Sequence, residues 1–137
     1  MSVLVLCTGN SCRSQMAEGF LRSFGISVQS AGIESHGMNK YTIKVMAEIG
    51  IDITNQYSKI INEIDLKKIN IIITVCNNAK QSCPYIPGRR SFFHKSFEDP
   101  SSSLVKVPND LLVYRKVRDD IKQYILSLIK EINNINE

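Results

Sequence analysis

The chain has 137 residues, 43% of them hydrophobic and 22% charged, the make-up of one ordinary domain, 1–137, able to bury a single core. Its net charge of +4 comes from scattered lysines and one Arg89-Arg90 pair, without the basic stripe and interleaved aromatics of a nucleic-acid surface. No apolar stretch approaches the ~20 residues that span a bilayer, and "MSVLVLCTGN" lacks a basic lead and a cleavage site, so no membrane segment, no signal peptide and a cytoplasmic setting are expected.

Val3 to Cys7 is apolar without alternation, the pattern of a parallel strand buried on both faces. Thr8 to Cys12 is a loop. Arg13 to Phe24 reads as a helix with Met16, Phe20, Leu21 and Phe24 on one face, ended by Gly25. Ile26 to Ala31 is a second strand and Gly32 to Gly37 a loop; Asn39 caps a helix running to Ile49 and closed by Gly50. Ile61 to Leu66 reads as a short helix, and Asn70 to Val75 is the clearest buried strand. Cys76 to Pro84 is a polar connector with room for one helical turn, and Arg90 to His94 is a weaker fourth strand. Pro108 opens a last helix to about Ile132, whose Val113, Val117, Ile121, Ile125, Leu128 and Ile132 form a core-facing stripe.

Alternating strands and helices predict an α/β fold, a small four-stranded parallel sheet with helices on both faces. Ligands of such sheets sit beyond the carboxyl ends of the strands. Cys7 ends the first strand, and Cys76 and Cys83 follow the third, so the two groups are expected on one rim. In a reducing cytosol, grouped cysteines are more often catalytic or metal-binding than structural.

The first loop has its own chemistry. Five residues separate Cys7 from Arg13 in "CTGNSCRS". A tight turn into a helix aims successive N–H groups inward as an anion-binding nest, and the helix dipole adds positive potential. Thr8, Gly9, Asn10, Ser11, Cys12, Arg13 and Ser14 are the expected oxyanion loop, with Gly9 and Asn10 tolerating strained angles. Arg13 offers a planar fork for two oxygens of a tetrahedral oxyanion. Cys7, in that field, is expected to ionise below the usual thiol value of about 8.5 and to act as nucleophile, with Thr8 and Ser14 as hydroxyl donors to it.

The loop resembles the phosphate-binding loop of the low-molecular-weight protein tyrosine phosphatase superfamily. "CTGNSCRSQMAEG", "SAGIESHGMN", "IGIDITN", "VCNNAKQSCP", "FEDP" and "VRDDI" resemble the thioredoxin-coupled arsenate reductases of that superfamily, in the same order over nearly the whole chain. The resemblance implies that Cys7 attacks arsenate, with Asp99 of "FEDP" as general acid, Glu98 as the near alternative and Pro100 holding the loop. It further implies that Cys76 and then Cys83 resolve the covalent adduct, leaving a disulfide for thioredoxin. A phosphatase working through a Cys7 phosphocysteine is the alternative, for which Cys76 and Cys83 have no use. Ser101, Ser102 and Ser103 follow Asp-Pro where phosphatases commonly carry aromatic walls. Cys12 is expected to be a core residue just inside the helix. No bound cofactor, no nucleic-acid partner and a monomer are expected.

Some reductases of this family hold potassium beside the loop through side chains equivalent to Asn10, Glu18, Ser30 and an aspartate. Lys59 falls where that aspartate would be, and its ammonium is expected to pair with Glu18 in place of the ion; a solvated Lys59 is the rival reading. No metal is expected: the cysteine spacings are poor for zinc. His36 and His94 lack ligand partners at helical spacing and read as loop or surface residues. A module that binds oxyanions without turnover would not need the complete set of nucleophile, arginine, acid and resolving thiols.

Overall fold

The computed structural model describes residues 2–82, 90–102 and 110–135. Strands β1 (Val3–Cys7), β2 (Val28–Gly32), β3 (Ile71–Thr74) and β4 (Ser91–His94) form one sheet in the order β2-β1-β3-β4, every neighbouring pair parallel. Every residue of β1 and β3 is buried, as their unbroken apolar runs require, so the middle of the sheet is covered on both faces. Helices α1 (Arg13–Ser23), α2 (Lys40–Ala47), α3 (Asn77–Ser82) and α4 (Leu111–Ile135) complete the fold. α1 lies on β1 and β2 and against α4, α2 packs on α1 and α4, and α3 lies against β1 and β3. No described helix is long and apolar enough to cross a membrane.

Four boundaries differ from the sequence reading by more than one residue. β2 starts at Val28 rather than Ile26, because Gly25 turns left-handed (φ +79°) and the Ile26 N–H goes back to the Leu21 carbonyl to close α1. The short helix expected over 61–66 is two separate 3-10 turns, Ile61–Glu63 and Leu66–Lys68, split where Asp65 accepts the Lys67 N–H and caps the second. α2 ends at Ala47, two residues before the expected Ile49. α4 runs on to Ile135, and its described start is capped by Asp110, which accepts the Leu112 N–H at 2.9 Å. Pro108 lies outside the described residues, as do Cys83, Pro84 and Ser103.

The α4 stripe is buried at Val117, Ile121, Ile125, Leu128 and Ile132, while Val113 is half-buried. Tyr114 and Arg118 are buried beside it. Arg118 is accepted in the core because its guanidinium reaches the Val45 carbonyl and Glu48 Oε1, each at 2.9 Å, tying α4 to α2. Asn39 makes a second tie: its Oδ1 accepts the N–H groups of Tyr41 and Thr42, and its Nδ2 donates to the Tyr114 hydroxyl at 3.0 Å. Asn39→Ala therefore loses a helix cap and an interhelical bond together, and is expected to cost about 1–2 kcal/mol. Urea unfolding should show a lower midpoint with an unchanged slope; an unshifted midpoint would refute this double role.

Candidate active site

The loop 8–12 leaves β1 and enters α1 at the carboxyl rim of the sheet. Three successive carbonyls turn outward to one neighbour: those of Cys7, Thr8 and Gly9 accept the N–H groups of Ile33 (3.2 Å), Glu34 (2.9 Å) and His36 (2.9 Å), and the Asn10 carbonyl accepts from Gln15 Nε2 at 3.1 Å. With these carbonyls turned away, the loop is free to aim amide groups at a bound anion. Two glycines permit this close approach. A Cβ on Gly9 would stand 2.3 Å from His36 Nδ1, and one on Gly32 would stand 2.3 Å from the Glu34 carbonyl.

Asn10 is the turning point, left-handed at φ +50° and fully buried. Its Nδ2 donates to Ser14 Oγ (2.8 Å) and Ser30 Oγ (2.9 Å); its Oδ1 accepts from Gln15 Nε2 (3.0 Å) and the Lys59 N–H (2.9 Å). All four of its hydrogen-bonding positions are filled. Cys12 is the N-cap of α1 rather than a residue inside it, and no side chain caps the first turn. The helix's opening N–H groups therefore have no competing side-chain acceptor.

A cavity of about 140 Å³ opens over the loop, lined by Cys7, Thr8, Gly9, Ser11, Cys12, Arg13, His36, Asp99 and Ser101. Arg13 is anchored by donating to the Phe97 carbonyl at 3.0 Å and stands 3.7 Å from the Asp99 carboxylate. Asp99 Oδ1 accepts from the Ser101 N–H (3.0 Å) and hydroxyl (2.7 Å), which fixes it at the cavity wall. Glu98 faces a different groove, with Lys95 and Lys116, so Asp99 is the acidic residue of the cavity.

Cys76 follows β3 and brings its sulfur to Cys7, as expected of the shared rim; the two thiols are hydrogen-bonded. The Thr8 hydroxyl lies 3.2 Å from Cys76 Sγ, and the Ala79 N–H donates to that sulfur at 3.4 Å. This corrects the expected charge distribution. Hydrogen bonding from Cys7 first, with smaller contributions from Thr8, Ala79 and the Arg13 charge, draws Cys76 down to about 5 against the cost of burial. Donating to Cys76, together with burial, pushes Cys7 above the usual thiol range although Arg13 opposes this. The pair thus holds one negative charge, and in this anion-free geometry it sits on Cys76. The hydroxyls expected on Cys7 are elsewhere: Thr8 serves Cys76, and Ser14 accepts from Asn10.

Beneath the loop, Ser30 donates to Glu18 Oε1 and Arg22 donates to Glu18 Oε2, each at 2.7 Å. Glu18 therefore pairs with Arg22, not with Lys59 as expected. Nor is Lys59 solvated: it is 5% exposed.

His36 is an exposed loop residue, as expected, whereas His94 is half-buried in a strand. His36 stands at the cavity mouth with Nε2 2.6 Å from Glu34 Oε2. His94, at the end of β4, bridges Thr74 Oγ1 (2.7 Å) and Asn77 Oδ1 (3.1 Å), beside the residue that follows Cys76. Glu34 and His36 are two apart in an extended loop, a spacing that puts side chains on one side and could have revealed the first pair.

Comparison with known proteins bears on this geometry. The family model of low molecular weight phosphotyrosine protein phosphatases matches residues 2–136. An arsenate reductase of Halalkalibacterium halodurans is 42% identical over 126 residues, 90% of this chain and 91% of its own. One from Bacillus subtilis is 41% identical over 122 residues, 87% of this chain and 88% of its own. Among solved structures, an arsenate reductase in the phosphate binding state superposes with TM-score 0.78 at 33% identity, covering 96% of this chain and 98% of its own. A low molecular weight protein tyrosine phosphatase from T. tengcongensis gives TM-score 0.79 at 29% identity, covering 96% and 99%.

The shared charge has a spectroscopic signature. Thiolate absorbance should rise as pH climbs through about 5 and fall away below it, because the lowered group is ionised only above its own pKa. Cys76→Ser should abolish that step and move Cys7 ionisation to lower pH than in the native pair. A low-pH step that survives in Cys76→Ser would assign the charge to Cys7 instead.

Proposed function

This chain belongs to the low molecular weight phosphotyrosine protein phosphatase family, and from that premise we propose that it is an arsenate reductase that turns over through Cys7, Cys76 and Cys83 with thioredoxin as reductant. One observation carries the reading: a second thiol, Cys76, stands against the nucleophile Cys7 at the oxyanion cavity. A hydrolase needs only water to release its phosphocysteine, whereas a reductase needs two electrons from further thiols. The relatives named arsenate reductase, at about 40% identity over most of the chain, support the same choice.

Arsenate enters the cavity, its oxygens held by the loop amides and the Arg13 fork. The Cys7 proton passes to Cys76 across their hydrogen bond, and the Cys7 thiolate attacks arsenic. A sulfur–arsenic bond forms, an arsenic–oxygen bond breaks, and Asp99 protonates the departing hydroxide to water. Cys76 loses that proton to solvent, its thiolate stabilised by the Thr8 hydroxyl and the Ala79 N–H, and attacks Cys7 Sγ. The sulfur–arsenic electron pair goes to arsenic, which leaves as arsenite reduced from the +5 to the +3 state, and Cys7 and Cys76 are joined. Cys83 thiolate attacks Cys76 Sγ, Cys7 departs as thiolate, and the Cys76–Cys83 disulfide takes two electrons from the thioredoxin dithiol. On this reading the protein works in the cytoplasm as a monomer and holds no resident cofactor.

The decisive assay follows NADPH oxidation with arsenate, thioredoxin and thioredoxin reductase. Wild type should turn over continuously, and Cys83→Ser should stop after a single arsenite. Arsenate-independent hydrolysis of an aryl phosphate in both proteins, with no NADPH consumed, would return the chain to the phosphatases. Asp99→Asn should slow the first attack by about 10²–10⁴-fold while leaving the sulfur exchanges untouched, which stopped-flow single-turnover measurement can separate.

A further inference from the structure

The polar cluster beneath the loop is where this chain differs from relatives that hold an alkali cation there, and its oxygens do not fit such an ion. Asn10 Oδ1 already accepts from Gln15 Nε2 and from the Lys59 N–H, which uses both of its lone pairs. Each oxygen of Glu18 already accepts from a donor, Ser30 on one and Arg22 on the other. The neighbouring cavity is lined by the carboxylates of Glu18 and Asp52 and by Arg22 and Lys59, so two fixed positive charges already balance its two negative ones. A further cation would meet no unmatched carboxylate there.

Lys59 is built into this arrangement at three points. Its N–H holds Asn10 Oδ1 at 2.9 Å, and its carbonyl accepts the Gly32 N–H at 2.8 Å, so the backbone ties the loop to the end of β2. Its ammonium donates to the Tyr57 carbonyl at 3.3 Å and lies 4.2 Å from the Tyr57 ring centroid. Tyr57 O also accepts from Gln15 Nε2, the same group that bonds Asn10 Oδ1, so the ammonium is three hydrogen bonds from the turning point of the loop. A buried ammonium is retained only where other charges favour it. Here burial lowers the ammonium's pKa, and the Glu18 carboxylate opposes this without touching it, with Glu63 adding to the opposition.

We propose that the Lys59 ammonium is the resident positive charge of this cluster, standing where relatives bind an alkali cation, and that it positions the oxyanion loop through Tyr57, Gln15 and Asn10. The loop's hold on an oxyanion is then independent of potassium. This concerns the loop rather than the redox chemistry, so it stands whether Cys7 serves a reductase or a phosphatase.

The test uses inorganic phosphate as probe and the full chain. Thermal midpoint and phosphate affinity by calorimetry are measured in matched potassium and sodium chloride. Wild type should give the same values in both salts. Lys59→Met should lower the midpoint and weaken phosphate severalfold in both, since the cluster loses its charge. Lys59→Arg keeps a positive charge at the cluster and should hold phosphate as wild type does in both salts, a rescue that a packing role for Lys59 would not produce. A wild-type midpoint that climbs in potassium overturns the proposal. So does a Lys59→Met protein with unaltered phosphate affinity, or a folded Lys59→Arg protein that binds phosphate as weakly as Lys59→Met.

Discussion

Everything at the rim of this sheet depends on one residue, Asn10, held left-handed with all four of its amide hydrogen bonds made inside the protein. A non-glycine residue at φ +50° is strained unless its surroundings fix it. Here four partners come from three separate stretches: Ser14 and Gln15 on α1, Ser30 on β2 and Lys59 on the segment beyond α2. The loop's conformation is therefore a property of the whole α/β layer, not of the loop. Losing any of these partners would leave a buried amide group unsatisfied, which costs more than an ordinary hydrogen bond gains. The same closure lets the carbonyls of Cys7, Thr8 and Gly9 turn to segment 33–36 and leaves the loop's inner side to an anion.

The second constraint is charge. Two thiols in contact in a half-buried site cannot both ionise, so one becomes easy to deprotonate and the other hard. The hydrogen bond from Cys7 weighs most, and the Thr8 hydroxyl, turned to Cys76 rather than to Cys7, adds to it. Together they place the negative charge on the sulfur that does not attack first. The resting protein thus keeps an anion-free cavity floor, where an oxyanion meets a neutral Cys7 and the Arg13 guanidinium rather than a thiolate. A bound oxyanion would meet less repulsion on entry than it would above a charged nucleophile. The proton has only one hydrogen bond to cross once the substrate is in place.

The sheet, its parallel sense and the joint rim of Cys7 and Cys76 were legible because they follow from unbroken apolar runs and from strand ends. Such features depend on local pattern and on the general rule that sites lie beyond strand carboxyl ends. What was not legible came from contacts far apart in sequence. Glu18 has a partner one helical turn away in Arg22, and that local pair took the carboxylate that Lys59 was expected to hold. The contacts of Cys76 with Cys7 and with Thr8, each more than 60 residues away, invert the charge assignment that the loop alone suggests. Asp99 over Glu98 depended on which way one turn faces, and Ser101 settles it by anchoring Asp99. Arg118 is buried because Glu48 and the Val45 carbonyl await it across a helix interface.

The relay proposed for the cysteines asks something further of α3. Residues seven apart in a continuous helix stand roughly 10 Å apart along its axis, whereas a disulfide needs α-carbons at about 5.5–6 Å. The turn α3 (Asn77–Ser82) lies between the two cysteines in sequence, so on the proposed relay it has to unwind before Cys76 and Cys83 can pair. Three described contacts oppose that unwinding: the Lys80 N–H on the Cys76 carbonyl, the Ala79 N–H on its sulfur, and the clamp on Asn77 by His94 and Ser96. Each is worth on the order of 1 kcal/mol net, and α3 is only six residues long, too short to be stable by itself. One of these contacts weakens as the chemistry proceeds, together with the bond from Thr8. Once Cys76 joins Cys7 its sulfur is no longer a thiolate, so the donors from Ala79 and Thr8 lose the charge that made them strong. Forming the first disulfide thereby loosens the segment that the second disulfide has to rearrange, while the Asn77 clamp, which involves no sulfur, keeps α3 in place until then.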